Sequence, residues 1–202
     1  MGRNIQIYQR NAKLNELYKQ CIEELKSIGI DIFNIPYVGN IDISVSKRNN
    51  KRYGCCKQEE PNKATKTTEK VGRKRVIRYG IFNKHHIEIS PWVLDLDDEI
   101  IKNTIIHEII HCIPYCNNHG KEFKKYAKFI NQKLKYNISR LGNKKDDYLK
   151  SNVEYNETEE YKYHIKCTNC GQEFFRKRLS KNFTRRYMCG KCSSKFEVIE
   201  LK

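Results

Sequence analysis

The chain has 202 residues and a formal net charge of +16, and 38% of its residues are apolar. This length allows one domain of about 100–150 residues together with a smaller second unit. The apolar content, with 13 Tyr and 8 Phe, is enough for a packed interior and excludes a chain that is disordered throughout. The positive charge favours a polyanionic partner, and of nucleic acid and an anionic membrane surface we expect nucleic acid.

The cellular location is predicted from the absence of targeting signals. No apolar run approaches the roughly 18 residues that a membrane span requires, and the first residues contain no secretory signal. Gln6 stands where an N-myristoylation motif requires Ser or Thr. We therefore expect a cytoplasmic protein, nucleoid-associated or nuclear according to the cell type, without a membrane partner.

Apolar spacing predicts a helix and two strands before the middle of the chain. Residues 9–28 carry apolar side chains every three or four positions, which predicts an amphipathic helix that ends at Gly29. Apolar and polar residues alternate in 41–45 and 87–89, which predicts strands of a small antiparallel sheet. The basic stretch between them, 47–80, is typical of a solvated loop or hairpin tip. Alternatively it is a flap that contacts phosphates through clustered basic residues: Arg73, Lys74, Arg75 and Arg78.

Two further helices and a linker are predicted downstream. Asp97 or Asp98 can cap an apolar helix that continues towards Pro114. A second helix, from about 121 to 135, has an apolar stripe and should pack against the first. The polar stretch of mixed charge at 143–160 predicts a linker between domains.

The first of these helices carries a His-Glu-x-x-His motif. His107 and His111 are four residues apart, so both imidazoles lie on one helical face and can reach one Zn²⁺ at roughly 2.0–2.1 Å. Glu108 lies about 100° around the helix from His107, where it can take a proton from metal-bound water as a general base. A catalytic zinc takes three protein ligands, and His119 is the candidate for the third.

Two other interpretations of the motif remain open. Glu108 could pair with a structural group instead of acting on substrate. Cys112 or Cys116 could serve as a soft ligand in a closed, structural site.

These motifs resemble the SprT-like family of zinc metallopeptidases, which includes a protease that digests proteins crosslinked to DNA. The matching elements are a strand and the residues after it, the helix with the motif, and a His-Gly-x-x-Phe element: 87–94, 104–111 and 119–123. The resemblance implies a zincin-like fold in which His107, His111 and His119 bind the catalytic zinc and Glu108 is the catalytic residue. The segment 54–56, Gly-Cys-Cys, stands where this family often has a Gly-Arg-Cys-like element.

The C-terminal segment contains four of the nine cysteines in two Cys-x-x-Cys pairs: Cys167 and Cys170, then Cys189 and Cys192. The separation of the two pairs lets two knuckles close a tetrahedral Cys₄ site, so we predict a zinc ribbon over 161–202. A redox-active dithiol pair is the alternative. The other five cysteines are interpreted as small, buried or half-buried residues of a reduced protein.

The same segment mixes basic and aromatic side chains. Residues 161–202 contain 11 Lys and Arg but only three Glu. Aromatic rings and guanidinium groups stack on unpaired bases, so six residues are candidates for nucleic-acid binding: Phe175, Arg176, Arg178, Arg185, Arg186 and Tyr187. Alternatively the three Phe at 174, 175 and 183 form the ribbon's core and the Arg residues its solvated surface. SprT-like proteins often carry such a ribbon after the protease domain, which implies a role that faces DNA.

Together these patterns predict an α+β protein in three parts: a metallopeptidase domain (1–142), a linker (143–160) and a zinc ribbon (161–202). We expect one catalytic and one structural Zn²⁺. The predicted activity is hydrolysis of peptide bonds in DNA-associated or DNA-crosslinked proteins, with DNA, including single-stranded DNA, as a partner. Two rival hypotheses are a non-proteolytic nucleic-acid-binding protein with structural zinc sites and a peptidase whose basic surface binds RNA or acidic proteins.

Overall fold

The computed structural model describes residues 2–48, 51–140, 142–155 and 161–201. The chain divides into two compact units, 1–155 and 156–202. The helices of eight residues or more are α1 (Gly2–Ser27), α2 (Asp98–Ile110) and α3 (Lys121–Leu134), and the shorter ones are α4 (Lys144–Lys150) and α5 (Phe183–Arg186). The strands are β1 (Asn40–Val45), β2 (Gly54–Pro61), β3 (Lys66–Val71), β4 (Lys74–Tyr79), β5 (Phe82–Ile89), β6 (Tyr163–Cys167), β7 (Glu173–Arg176) and β8 (Phe196–Glu200). Within the described ranges, no helix is long and apolar enough to cross a membrane.

The long helix α1 confirms the predicted amphipathic helix, although it begins several residues earlier than expected. Its buried side chains recur every three or four residues: Leu14, Leu17, Cys21 and Leu25. At its C-terminus Gly29 has a φ of +85°, and the N–H of Ile30 donates to the Leu25 carbonyl. A glycine with left-handed backbone in this position is a common way for a helix to end.

The first unit contains a three-stranded sheet in the order β1-β5-β2. Strand β2 pairs with β5 antiparallel, whereas β1 pairs with β5 parallel, with Ile43 opposite Ile87. The prediction of an antiparallel sheet is therefore wrong for one of its two strand pairs. Alternating apolar residues fix which side chains of β1 and β5 face the core, but the same alternation is compatible with either strand direction.

The basic stretch 47–80 is mostly strand rather than loop. It contains β2 and then a separate two-stranded hairpin of β3 and β4, which turns at Gly72 with a φ of +61°. The hairpin alternative for this stretch is confirmed. We call residues 63–79 the basic hairpin.

Helix α2 lies in the core of the first unit, with most of its Ile side chains buried. It ends at Ile110 rather than near Pro114, because the N–H groups of Cys112 and Ile113 donate three residues back to the carbonyls of Ile109 and Ile110. These tight turns direct the chain away from the helix axis before α3. Helices α2 and α3 contribute to one apolar cluster, so the predicted packing between them is confirmed.

The described part of the predicted linker, residues 143–155, belongs to the first unit and contains α4. Tyr53 donates a hydrogen bond of 2.6 Å to the Asp147 carboxylate, and the Tyr148 ring stacks on Trp92 with centroids 5.7 Å apart. The ammonium of Lys144 lies 4.2 Å from the centre of the Trp92 ring. These contacts join α4 to the loop before β2 and to the turn before α2. Residues 156–160 lie outside the described part of the chain.

The second unit is a small antiparallel sheet in the order β7-β6-β8. Ile165 in its central strand is fully buried, and Phe174 contacts Phe196 edge to face with centroids 5.4 Å apart. Phe183 of α5 also packs on Phe196. The first cysteine pair begins at the last residue of β6, and the second pair precedes β8.

Candidate metal centres

Three histidine side chains converge between α2 and α3. His107 lies in α2, His111 is the residue after its last turn, and His119 lies in the loop before α3. The Nε2 atom of His119 is 2.9 Å from Nε2 of His107 and 3.3 Å from Nε2 of His111. Tetrahedral zinc with Zn–N bonds of roughly 2.0–2.1 Å separates its ligand nitrogens by about 3.4 Å, close to these distances. The three residues could therefore hold a metal ion, and their donors are compatible with zinc.

The other ring nitrogens of two histidines are engaged by backbone carbonyls. Nδ1 of His111 lies 2.7 Å from the Cys116 carbonyl, and His107 hydrogen-bonds to the backbone of Ser139. A proton on Nδ1 of His111 donates to the Cys116 carbonyl and leaves the Nε2 lone pair of this ring directed at the shared centre. This is the tautomer that a metal ligand requires.

Burial keeps the imidazoles neutral. The pKa of His107 is lowered to about 3, first by burial and then by the neighbouring His111 and His119. Burial also lowers the pKa of His111 and that of His119, the latter with a contribution from the positive charge of Arg140. All three rings are thus available as neutral nitrogen donors at neutral pH.

One aromatic ring supports all three histidines. The centroid of Phe123 lies 4.9 Å from that of His107, 4.7 Å from that of His111 and 4.8 Å from that of His119. The Phe123 side chain is fully buried. Phe123 ends the His-Gly-x-x-Phe element of the sequence, but its contact with the three imidazoles was not predicted.

Glu108 is a buried carboxylic acid beside the histidines. Its side chain accepts a hydrogen bond from the backbone N–H of Cys56 in β2, and burial raises its pKa to about 7 despite that bond and the positive charge of Arg52. Gly54 leaves the space that this side chain occupies, because a Cβ at position 54 would lie 2.9 Å from Glu108 Cγ. An acid poised near neutral pH can exchange a proton with a reacting group. Sequence reasoning noted residues 54–56 but not this role.

The cysteines near the motif do not join the histidine cluster. Cys112 Sγ lies 3.7 Å from Cys56 Sγ and 3.5 Å from the Glu108 carbonyl oxygen. The hydrogen bond with Cys56 is the main cause that raises the pKa of the Cys112 thiol far above its usual value, and burial is the second. Among the described residues, the metal-competent group here consists of the three histidines alone.

The loop between His111 and His119 is attached to the basic hairpin. The backbone N–H of Tyr115 donates to the Gly80 carbonyl at 2.6 Å, and Asn117 Nδ2 donates to the Tyr79 carbonyl at 2.5 Å. Tyr115 has a φ of +63°, a strained value for a tyrosine. A Cβ at Gly80 would lie 2.3 Å from the Tyr115 ring, so glycine is required for this close approach.

A groove of about 420 Å³ opens beside His119. Its apolar lining comes from Phe123, Ala127 and Ile138, all of which are buried. Lys124, Lys128 and Arg140 also line it and are exposed. The groove can therefore accept a side chain with an apolar body and a negative or polar end.

Comparison with known proteins agrees with this arrangement. Residues 15–142 match the SprT-like family. The chain belongs to the SprT-like family. It is similar to a "Protein SprT-like" of Lactococcus lactis subsp. lactis, with 29% identity over 110 residues, 54% of this chain and 64% of that protein. A "Protein SprT-like" of Lactiplantibacillus plantarum is 27% identical over 116 residues, 57% of this chain and 71% of that protein.

The matched range of this SprT-like chain contains the three histidines and Glu108 but not the four C-terminal cysteines. The aligned part of the chain spans less than two thirds of the Lactococcus protein. The family match therefore assigns no role to the cysteine module.

The four cysteines of the second unit form another metal-competent group. Cys167 Sγ lies 3.4 Å from Cys192 Sγ, and Cys170 Sγ lies 3.5 Å from Cys189 Sγ. Zn–S bonds of about 2.3 Å in a tetrahedral site separate the sulfurs by about 3.8 Å, so modest spreading would admit zinc. All nine cysteines of the chain are free thiols.

Backbone N–H groups in the second knuckle favour thiolate. The backbone N–H of Ser194, with the Ser194 hydroxyl, lowers the pKa of Cys192 to about 6. The backbone N–H of Lys191 lowers the pKa of Cys189. Because thiolate is the form that binds metal, these turns prepare the site for a cation.

The six residues predicted to contact nucleic acid are all exposed: Phe175, Arg176, Arg178, Arg185, Arg186 and Tyr187. Phe175 lies on the outer side of the sheet and stacks on His164, with centroids 4.5 Å apart and ring planes 12° apart. Phe174 and Phe183 instead pack on Phe196. The interpretation of all three Phe residues as core is therefore wrong for Phe175.

Proposed function

We propose that this protein is a zinc-dependent endopeptidase in which His107, His111 and His119 hold the catalytic metal. The observation that carries the proposal is the convergence of three neutral Nε2 atoms beside a buried carboxylic acid, Glu108, with a pKa of about 7. Membership of the SprT-like family, with its implied metallopeptidase activity, supports it.

The chemistry divides between the metal and Glu108. Zinc at this position would act as a Lewis acid towards a peptide carbonyl and would acidify a water molecule. Glu108 then accepts the proton of the attacking water and returns it to the leaving amine. The Cys56 N–H holds the carboxylate in place, and Gly54 leaves room for it.

Strand β2 and the groove beside His119 suit an extended polypeptide substrate. Strand β2 is at the edge of its sheet, and its Cys56 N–H donates a hydrogen bond to the Glu108 carboxylate. An edge strand can pair with an extended segment through backbone hydrogen bonds, and a neighbouring groove can select side chains. The basic residues of the groove favour a substrate side chain that is acidic or polar at its end.

DNA-associated or DNA-crosslinked proteins are the proposed substrates. The Cys₄ module would be the element that binds DNA, with a structural zinc as its staple. Its exposed Phe175 and Tyr187 offer stacking surfaces for unpaired bases, and the surrounding arginines offer contacts to phosphates.

Substitution of Glu108 tests the peptidase proposal directly. Glu108→Gln should abolish cleavage of an unstructured basic protein, assayed with and without single-stranded DNA, while zinc content and DNA binding stay at wild-type levels. Glu99→Gln, an exposed change in the same helix, is the matched control and should leave cleavage unchanged. Wild-type cleavage by Glu108→Gln would overturn the proposal. No cleavage by the wild-type protein, with zinc and DNA bound, would favour a non-proteolytic nucleic-acid-binding protein.

A further inference from the structure

The basic hairpin is a strongly charged surface of the first unit. Residues 63–79 contain seven Lys and Arg but a single acidic residue, Glu69: the basic ones are Lys63, Lys66, Lys70, Arg73, Lys74, Arg75 and Arg78. Every residue of β3 is exposed, and in β4 only Val76 and Tyr79 are partly covered. A surface with this charge attracts a polyanion.

Most of these charges have no partner within the described residues. Arg78 is the exception, because its Nε lies 2.7 Å from the Glu69 carboxylate. The side chains of Lys66, Lys70 and Arg75 make neither an ion pair nor a hydrogen bond to any described residue. Folding therefore does not neutralise these cations, and they remain available to an external partner.

Strand register separates the charges onto two faces. Cross-strand partners share a face, so the pairs Lys66–Tyr79, Thr68–Ile77 and Lys70–Arg75 lie together. This face has three cations and no acid. The opposite face holds the Glu69–Arg78 pair and is partly neutralised. Lys70 and Arg75 are opposite each other at one end of this face, and Lys66 lies about 13 Å away along the strand at roughly 3.3 Å per residue.

We propose that this face of the basic hairpin binds duplex nucleic acid through its phosphates. A two-stranded ribbon has the width that the major groove of B-DNA admits, and cations at both ends of its face can contact phosphates at the groove edge. An acidic protein or an anionic membrane would also be attracted by the charge. Cations at both ends of a narrow, exposed ribbon favour an extended polyanion such as nucleic acid over either of them.

The hairpin's attachment gives the binding a consequence for the metal site. The carbonyls of Tyr79 and Gly80, at the end of the hairpin, accept hydrogen bonds from Asn117 and Tyr115, in the loop that leads to His119. Nucleic acid on the hairpin is thereby held on an element that contacts the metal loop. A protein attached to that nucleic acid is brought close to the three histidines. The binding itself does not depend on the proposed peptidase activity.

Charge reversal on the full-length, zinc-loaded protein tests the inference. The hairpin variant is Lys66→Glu, Lys70→Glu and Arg75→Glu. The control reverses three exposed lysines of the first unit's helices, Lys19→Glu, Lys125→Glu and Lys133→Glu, so both variants have the same net charge. Binding of a fluorescent 20-base-pair DNA duplex is measured by anisotropy over a range of salt concentrations. Zinc content and far-UV circular dichroism establish that both variants fold.

We expect the hairpin variant to bind at least tenfold more weakly than the control. The slope of log affinity against log salt should also fall by about 2–3, since each phosphate contact contributes about 0.9. Equal loss in both variants, or no loss in the hairpin variant, would overturn the inference. The inference would also be overturned if the wild-type protein bound anionic phospholipid vesicles through the hairpin but did not bind the duplex. Cleavage of an unstructured protein without nucleic acid is measured on the same preparations. Because this assay tests only the peptidase proposal, a failure of that proposal can be distinguished from a failure of the binding inference.

Discussion

Gly54 lies so close to Glu108 that a Cβ at position 54 would stand 2.9 Å from both Cγ and Oε1 of the Glu108 side chain. Real Cβ atoms essentially never approach another heavy atom this closely. Strand β2 donates a hydrogen bond to the Glu108 carboxylate through Cys56. Its first residue, Gly54, therefore has no room for a side chain. Position 54 is tied to the geometry of the proposed general base.

Gly54→Ala should therefore destabilise the protein and slow cleavage. Overpacking of a well-packed site typically lowers the free energy of unfolding by about 1–3 kcal/mol. Because the clash displaces Glu108 and not a histidine, kcat should fall while zinc content changes little. The free energy of unfolding from denaturant titration measures the first effect. In a Glu108→Ala background the clash is absent, so Gly54→Ala should then cost almost nothing. A cost that is the same in both backgrounds would show that Gly54 acts through another contact.

The raised pKa of Glu108 predicts a pH-dependent stability difference in the metal-free protein. The pKa of the Glu108 carboxyl is about 7 in the folded protein, against an ordinary value of 4.5, so the protonated form favours folding. This contribution to stability is full below pH 4.5 and is lost as pH rises through 7. In the presence of chelator, Glu108→Gln should gain stability relative to wild type between pH 4.5 and 8, by up to about 3 kcal/mol. Histidine titration is common to both proteins and cancels in the difference.

Denaturant unfolding at pH 4.5 and pH 8 measures this difference. Glu99→Gln, on an exposed part of the same helix, should give a difference that does not change with pH. A Glu108→Gln gain that is equal at both pH values would contradict the assigned burial effect on the carboxyl.

The contact of Phe123 with all three imidazoles predicts a role in metal affinity. Phe123→Leu keeps an apolar side chain but removes the ring faces, so the histidines lose part of their orientation. Outer contacts of metal ligands typically contribute a factor of about 10–100 in affinity, and zinc dissociation should accelerate accordingly. Competition with a chromogenic chelator measures the zinc affinity. Phe129→Leu, on the more exposed side of α3, should leave zinc affinity unchanged; equal effects of the two changes would contradict the role.

The cysteine module predicts a second, independent zinc. Cys170→Ser should remove one zinc per chain and unfold the second unit, because so small a sheet depends on its metal. Hydrolysis of an unstructured protein without DNA should persist, since the histidine cluster lies in the other unit. Cys55→Ser is the control and should keep both zinc ions. Retention of two zinc ions by Cys170→Ser would contradict the Cys₄ site.

Local patterns were enough to predict the residues that converge, but not the supports around them. The spacing of His107 and His111 follows from helical geometry, and the apolar stripe of α3 is strong. Phe123 and Gly54 act through residues distant in sequence, so their contacts depend on tertiary packing. The same is true of the parallel pairing of β1 with β5.

The elements that the sequence left open or did not predict lack an apolar pattern of their own. Strands β3 and β4 are exposed on both faces, so alternation is weak there and the basic composition resembled a loop. Helix α4 has only seven residues, none of them buried, and is held by Tyr53 and Trp92 from elsewhere in the chain. Short helices of this kind gain their stability from packing rather than from local propensity.

Zinc content measured together with peptide cleavage, for wild type, His119→Ala and His86→Ala, tests the central claim most directly. Wild type should contain two zinc ions and cleave. His119→Ala should contain one and lose cleavage, whereas His86→Ala, whose ring contacts Ser44 rather than the histidine cluster, should match wild type. Two zinc ions and undiminished cleavage in His119→Ala would contradict the claim that the three histidines hold a catalytic metal.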